Sequence, residues 1–329
     1  MSTVRLRLWI PALFALIFSG AVAAADALHQ AEGLALLQKI ADAARKLNYA
    51  GTFVYQHGDQ VETSRIVHLV EGENEHEKLE TLDGPRREII RNNDEILCYY
   101  PDAKIIRSDK RMARRNFPAL LPEQLSALTE NYVIRKGATE RIGGFDAQAL
   151  ILEPKDAKRY GHKFWADVNS GLLLKASLIG EGHTVVEQIS FTQVVIGAAV
   201  TRQMVKPSFT VRFPEWRLDR FATNPISEVE SGWTVRSIPA GFRKILEMRR
   251  SKQGNSVLVT HLVYSDGLAA VSIFIEPALT RGTVDEGPFQ HGAINIFIRA
   301  INDQIVTVLG EAPAVTVMQI AHSVAPRGQ

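Results

Sequence analysis

Between Tyr49 and Val195 the chain keeps returning to one pattern: short runs in which apolar and polar residues alternate, each closed by a turn signal. Residues 52–57 are followed by Gly58-Asp59, residues 86–91 are preceded by Asp83-Gly84-Pro85, and Asn92-Asn93-Asp94 separates them from 95–100. A period of two sends alternate side chains to opposite faces of a strand. Gly and Asn at the breaks tolerate positive φ, and Pro cannot donate to a ladder. Residues 64–70, 79–82, 132–135, 140–142, 145–153, 163–167, 172–179 and 184–195 continue the series. Strands joined by such short turns pair antiparallel in sequence order. Within the series, 71–77 reads as an acidic connection, and Pro122 opens a short helix through 130.

A helix over 28–48 comes first. Leu37, Ile40, Ala41, Ala44 and Leu47 fall on one face, with Gln38, Lys39, Asp42, Arg45 and Lys46 on the other. One amphipathic helix ahead of a long antiparallel sheet predicts an α+β fold, an open, strongly curved β half-barrel wrapped around helices. Its concave side is either filled or left as an apolar cavity. Phe53, Tyr55, Ile66, Leu97, Tyr99, Phe164 and Leu173 are the candidates to line such a pocket, and ordinary core is the default for any single one. After three prolines at 207, 214 and 225, strands are expected again over 257–264, 268–276, 293–298 and 304–309. A helix opened by Pro313 then presents Val317, Ile320, Ala321 and Val324. The expected organisation is a leader over 1–25, a large domain over 26–206, a linker over 207–225 and a small α+β domain over 226–325.

The leader is read from Arg5 and Arg7, the apolar run 8–18, and small residues at Ala21-Val22-Ala23 or Ala23-Ala24-Ala25 before Asp26, the three parts of a secretory signal peptide. A membrane span needs about 20 apolar residues, more than this run holds. Its removal takes two arginines from the 38 Lys+Arg and none of the 36 Asp+Glu, leaving 36 against 36 and a formal charge of zero. Nucleic-acid binders carry a basic excess, so no nucleic-acid partner is expected. Cys98 is the sole cysteine, which rules out an intramolecular disulfide. A large exported chain held by packing alone fits a bacterial periplasm.

Catalytic signatures are missing: the chain has no G-x-S-x-G elbow, H-E-x-x-H helix, Walker loop, C-x-x-C pair or G-x-G-x-x-G fingerprint. No cofactor or metal is implied. One polar cluster stands out, with Lys104, Arg107, Lys110, Arg111, Arg114 and Arg115 inside twelve residues. It is either a solvated loop or a patch for an anionic lipid headgroup or an acidic partner segment.

Several stretches taken in order carry a family resemblance. Tyr49-Ala50-Gly51-Thr52-Phe53-Val54-Tyr55, Leu82-Asp83-Gly84-Pro85-Arg86-Arg87-Glu88, Tyr160-Gly161-His162-Lys163-Phe164-Trp165 and Asp167-Val168-Asn169-Ser170-Gly171-Leu172-Leu173-Leu174-Lys175 resemble the amino-terminal domain of the MucB/RseB family. Gly232-Trp233-Thr234-Val235, Pro239-Ala240-Gly241-Phe242, Tyr264-Ser265-Asp266-Gly267-Leu268, Ser272-Ile273-Phe274-Ile275-Glu276 and Gly310-Glu311-Ala312-Pro313 resemble its carboxy-terminal domain. The resemblance implies a lipoprotein-carrier-like large domain and a periplasmic negative regulator of an extracytoplasmic, sigma-E type sigma factor. Such a regulator binds the periplasmic segment of an RseA/MucA-type anti-sigma factor and shields it from the site-1 protease until lipid or lipopolysaccharide releases it. The small domain is implied to make much of that contact, and a homodimer is permitted. A periplasmic lipoprotein or lipid carrier is the competing reading, and carriers of that fold lack the second domain.

Overall fold

The computed structural model describes residues 13–108, 116–122, 124–197, 200–212, 214–220, 231–251, 258–278 and 285–328. Helix α1 (Leu13–Lys46) leads into β1 (Tyr49–His57), β2 (Gln60–Glu71), β3 (Asn74–Thr81), β4 (Arg87–Asn92), β5 (Glu95–Tyr100) and β6 (Ile105–Ser108). The short α2 (Leu128–Asn131) precedes β7 (Tyr132–Ile142), β8 (Phe145–Pro154), β9 (Gly161–Asp167), β10 (Leu173–Ile179), β11 (Val185–Ile196) and β12 (Arg217–Arg220). These form a 12-stranded sheet in the order β12-β6-β5-β4-β3-β2-β1-β11-β10-β9-β8-β7. Neighbours run antiparallel apart from β12, which pairs in parallel with β6. The two end strands do not meet, so the half-barrel is open, as the sequence predicts.

The predicted apolar face of α1 is the buried one: Leu37, Ile40, Ala41 and Ala44 are each less than a tenth exposed. It packs against Tyr49, Phe53, Ile66, Phe164 and Phe191 on the concave side of the sheet. Midway along it the Gln30 amide accepts from the Ile134 N–H at 3.0 Å and donates to the Tyr132 carbonyl. It thus supplies the outer edge of β7 with the partners another strand would give. The helix begins at Leu13 rather than at 28, so 13–25 of the expected leader are continuous with it. Among the described residues no helix is long and apolar enough to cross a membrane.

Two local expectations need correction. Residues 74–77 belong to β3 rather than to an acidic connection, because their carboxylates meet cations: Glu77 is in register with Arg91 of β4, and Glu75 reaches His68 of β2. The helix expected over 122–130 is limited to Leu128–Asn131. Before it, Phe117, Leu121 and Leu125 turn into the concave face, and the backbone bonds from Leu128 to Leu125 and from Thr129 to Ser126 are tight turns. Hydrophobic burial has overridden helical continuity in this segment.

The second domain holds β13 (Trp233–Val235), β14 (Arg243–Ser251), β15 (Leu258–Ser265), β16 (Ala270–Pro277), β17 (Gly287–His291), β18 (Ile294–Ile301), β19 (Gln304–Gly310), α3 (Ala314–Ser323) and β20 (Val324–Pro326). Six strands make one sheet in the order β14-β15-β16-β19-β18-β17, and β13 pairs with β20. The four predicted residues of α3 and its end, Val317, Ile320, Ala321 and Val324, are buried against Val271, Ile273, Val306 and Val308. Edge strands β14 and β17 carry no clean apolar alternation, which hid them from a pattern reading. Around Pro207 and Pro214 the chain is tied to the first domain. Lys78 and Glu88 form a buried pair at 3.5 Å, and Glu88 also accepts the Ser208 N–H. Phe209 and Trp216 then stack beside Tyr99.

Candidate functional site

The loop 155–160 between β8 and β9 carries much of the polar contact between the domains. Arg159 is fully buried and forks onto Asp156, with Nε and Nη2 each 3.0 Å from a carboxylate oxygen. Its Nη1 donates to Asp266 of the second domain at 2.7 Å, and its Nη2 to the Ala240 carbonyl. Asp266 is fully buried too. One of its oxygens also accepts the Tyr132 hydroxyl at 3.1 Å, and the other accepts the backbone N–H groups of Leu268 and Ala269. A buried ion pair stabilises only when its remaining donors and acceptors are met, and here the carboxylate has four partners. His162 meets the Tyr132 ring edge-on at 5.9 Å, and burial depresses its pKa to about 4, so it adds no competing charge at neutral pH. The Lys158 carbonyl accepts from Thr316, and Asn295 donates to the Tyr160 hydroxyl.

This seam closes one end of a cleft of about 830 Å³ that both domains line. On the first domain its walls are the end of α1 (Arg45), β3 and β4 (Glu75, Glu77, Arg91), and the segment 116–131. Across from them stand Gly241, Arg243, Ile245 and the turn Ser265-Asp266-Gly267. Gly241 adopts φ +82°, and a Cβ there would lie 2.2 Å from the Asn131 side chain, so only glycine lets the two walls approach this closely. The Ser265 hydroxyl donates to the Ala269 carbonyl and accepts the Gly267 N–H, so it is spent on the turn.

A charged cluster underlies the cleft wall at β2 and β3. His68 stacks on Tyr49 at 4.7 Å; its Nδ1 lies 2.8 Å from the Leu47 carbonyl and its Nε2 3.2 Å from Glu75. Both neighbours are acceptors, so both ring nitrogens donate when the ring is cationic. Burial opposes that charge, yet the Glu75 and Leu47 hydrogen bonds raise the His68 pKa above its ordinary value. The same bond holds Glu75 below the usual carboxylate range. Burial pushes Glu77 up, against the pull of Arg91 and His68. The site therefore offers fixed charges, hydrogen-bonding groups and apolar surface. Among the described residues no group of three or more His, Cys, Asp or Glu side chains is placed to hold a metal ion.

The sequence model of the MucB/RseB N-terminal domain matches residues 32–209, and that of the MucB/RseB C-terminal domain matches 227–325. The chain belongs to the MucB/RseB family. It is 29% identical over 317 residues to the sigma factor AlgU regulatory protein MucB of Pseudomonas aeruginosa, covering 94% of this chain and 96% of that protein. The sigma-E factor regulatory protein RseB of Escherichia coli K12 is 24% identical over 292 residues, covering 88% and 89%. A crystal structure of MucB in complex with MucA(peri) superposes with a TM-score of 0.70 at 29% identity, covering 89% of this chain and 98% of that one.

With the family in hand, the predicted site residues sort as follows. Phe53, Ile66, Phe164 and Leu173 lie together in the core on the concave face. Phe53 meets the rings of Phe117 and Phe191 at 5.3 and 6.0 Å, so side chains fill the space between them. Tyr55 is half-buried and donates its hydroxyl to Glu187 at 2.6 Å. Leu97 and Tyr99 pack on the opposite face with Ile90, Ile106 and Trp216, so the seven do not line one space. The reason is register: Tyr99 pairs with Glu88, and Leu97 with Ile90, one residue out of phase with the row that continues Ile66. Of the basic cluster, Lys104 pairs with Glu215 at 3.1 Å and Arg107 lies over the Tyr100 ring at 5.0 Å. Lys110, Arg111, Arg114 and Arg115 lie outside the described residues. Sequence reasoning missed Arg159, because nothing local marks a loop arginine whose carboxylate partner lies 107 residues away.

Proposed function

We propose that this chain is a periplasmic, non-catalytic negative regulator of a sigma-E type sigma factor. It holds the periplasmic segment of a MucA- or RseA-type anti-sigma factor in the interdomain cleft and keeps it from the first protease. The observation that carries this reading is a cleft built from both domains and fixed by the buried Arg159–Asp266 pair. It occurs in a chain that matches, over nearly all its length, a relative solved with MucA(peri).

Release by lipid or lipopolysaccharide has a physical route in the same geometry. Phe117, Leu121 and Leu125 plug the concave face, while Asn116, Leu121, Pro122 and Ala127 of the same segment line the cleft. An acyl chain entering the half-barrel displaces the plug and so deforms the wall that faces the partner. A ligand shifts such an equilibrium only by its differential affinity for the two forms, typically about 1–3 kcal/mol in allosteric proteins. The test is cleavage of a MucA-type periplasmic segment by its protease. Saturating wild-type protein slows cleavage, and vesicles containing lipid A restore it. Cleavage at the same rate with and without the protein overturns the reading. Protection that lipid leaves unchanged overturns the release step alone.

A further inference from the structure

Strand β14 carries a bulge where it faces the cleft. Its pairing with β15 steps from Lys244–Tyr264 to Leu246–Val263 and skips Ile245. A bulge re-aims the extra side chain away from the regular alternation. Here it turns Ile245 into the cleft, where at 64% exposure it is the most exposed large apolar residue among those described. Its neighbours differ in kind. Leu246 and Met248 continue the paired strand, while Arg243 pairs with Glu130 across the cleft at 3.5 Å. The facing wall offers Pro122 and Ala127. Its spacing is set by the close approach of Gly241 to Asn131 and by the buried ion pair at the seam.

We propose that Ile245 is the apolar anchor for the anti-sigma segment, an inference that rests on the binding function proposed above. The occupant it fits is a peptide with a leucine- or valine-sized side chain seated on Ile245 and polar flanks that meet Arg243 and Glu130. Two features favour such a segment over a wholly apolar ligand. The rim carries charges of both signs, at Arg45 and Arg243 and at Glu73, Asp94 and Glu130, which an apolar ligand would strip of water without offering hydrogen bonds in return. The preset walls also lower the ordering cost that a single anchored side chain must offset. Truncation of a central anchor residue typically dominates an interface, whereas exposed apolar residues elsewhere contribute little.

The test uses the full mature chain and a purified MucA-type periplasmic segment, with affinity read by calorimetry and folding by thermal melting. Ile245→Ala weakens binding about tenfold, equivalent to about 1.4 kcal/mol, and Ile245→Asp weakens it further. Ile245→Leu retains it. Val315→Asp, at a residue 47% exposed on α3 and outside the cleft lining, binds as the wild type does. Melting points of all variants stay close to the wild type, because Ile245 is already exposed. Binding of Ile245→Asp within twofold of the wild type overturns the anchor while leaving the function intact. No binding by the wild type overturns the function itself. A change confined to self-association in sedimentation assigns Ile245 to contact between copies of this chain, and also overturns the proposal.

Discussion

Replacing Arg159 with methionine tests whether the two domains form one unit. The substitution keeps the aliphatic stem and removes the charge opposite Asp266, which is fully buried at 2.7 Å from Nη1. Removing one partner of a buried pair ordinarily costs about 3–5 kcal/mol, because the other charge is left uncompensated. Asp266 retains the Tyr132 hydroxyl and the Leu268 and Ala269 N–H groups. Three remaining hydrogen bonds put the expected loss at the lower end, about 3 kcal/mol. The two residues belong to different domains, so the loss falls on their coupling: a single calorimetric transition in the wild type separates into two in Arg159→Met. The double change Arg159→Met with Asp266→Leu recovers part of the loss, since no charge is then stranded. A single unsplit transition and a loss below about 1 kcal/mol would refute the coupling argument.

Other expected outcomes follow from the same contacts. Gly241→Ala forces a side chain into φ +82° against Asn131 and costs about 1–3 kcal/mol in urea unfolding, with weaker partner binding; an unchanged midpoint contradicts the close-approach argument. Lys78→Met strands the buried Glu88 carboxylate, for about 3 kcal/mol, and frees the Ser208 segment to a protease; intact resistance to nicking near 208 speaks against it. The raised pKa of His68 gives stability that is fully present below its unfolded value of about 6.5 and lost as pH rises through the folded value. Melting curves should therefore separate wild type from His68→Gln most at mildly acidic pH and least at alkaline pH, and a gap independent of pH is the contrary result. Glu75, with its pKa lowered, contributes in the opposite sense, its share fading as pH falls through the folded value.

The open half-barrel was legible because its signals are local. Turns such as Gly58-Asp59 and Asn93-Asp94 fix which strands are neighbours, and the face of α1 from Leu37 to Ala44 names its own burial. β3 was partly hidden because an acidic run reads as solvated until its cations, Arg91 and His68, arrive from other strands. Face assignment failed for Leu97 and Tyr99 for a related reason. A period of two tells which residues share a face but not which face is concave, and Trp216 and Phe209 cover the other one. The seam was illegible: Ser265-Asp266-Gly267 reads as a turn, and it is one, yet the same aspartate also anchors Arg159 and Tyr132. Long-range polar contacts leave no periodic trace in a single sequence.

The account stands or falls on where the partner sits, and hydrogen exchange with and without a MucA-type periplasmic segment reads that directly. Amides of 124–131 and 243–246 should slow markedly on binding, while those of β12 and the Ser208 region on the opposite face keep their rates. Slowing confined to the opposite face, with the cleft segments unchanged, would place the partner elsewhere.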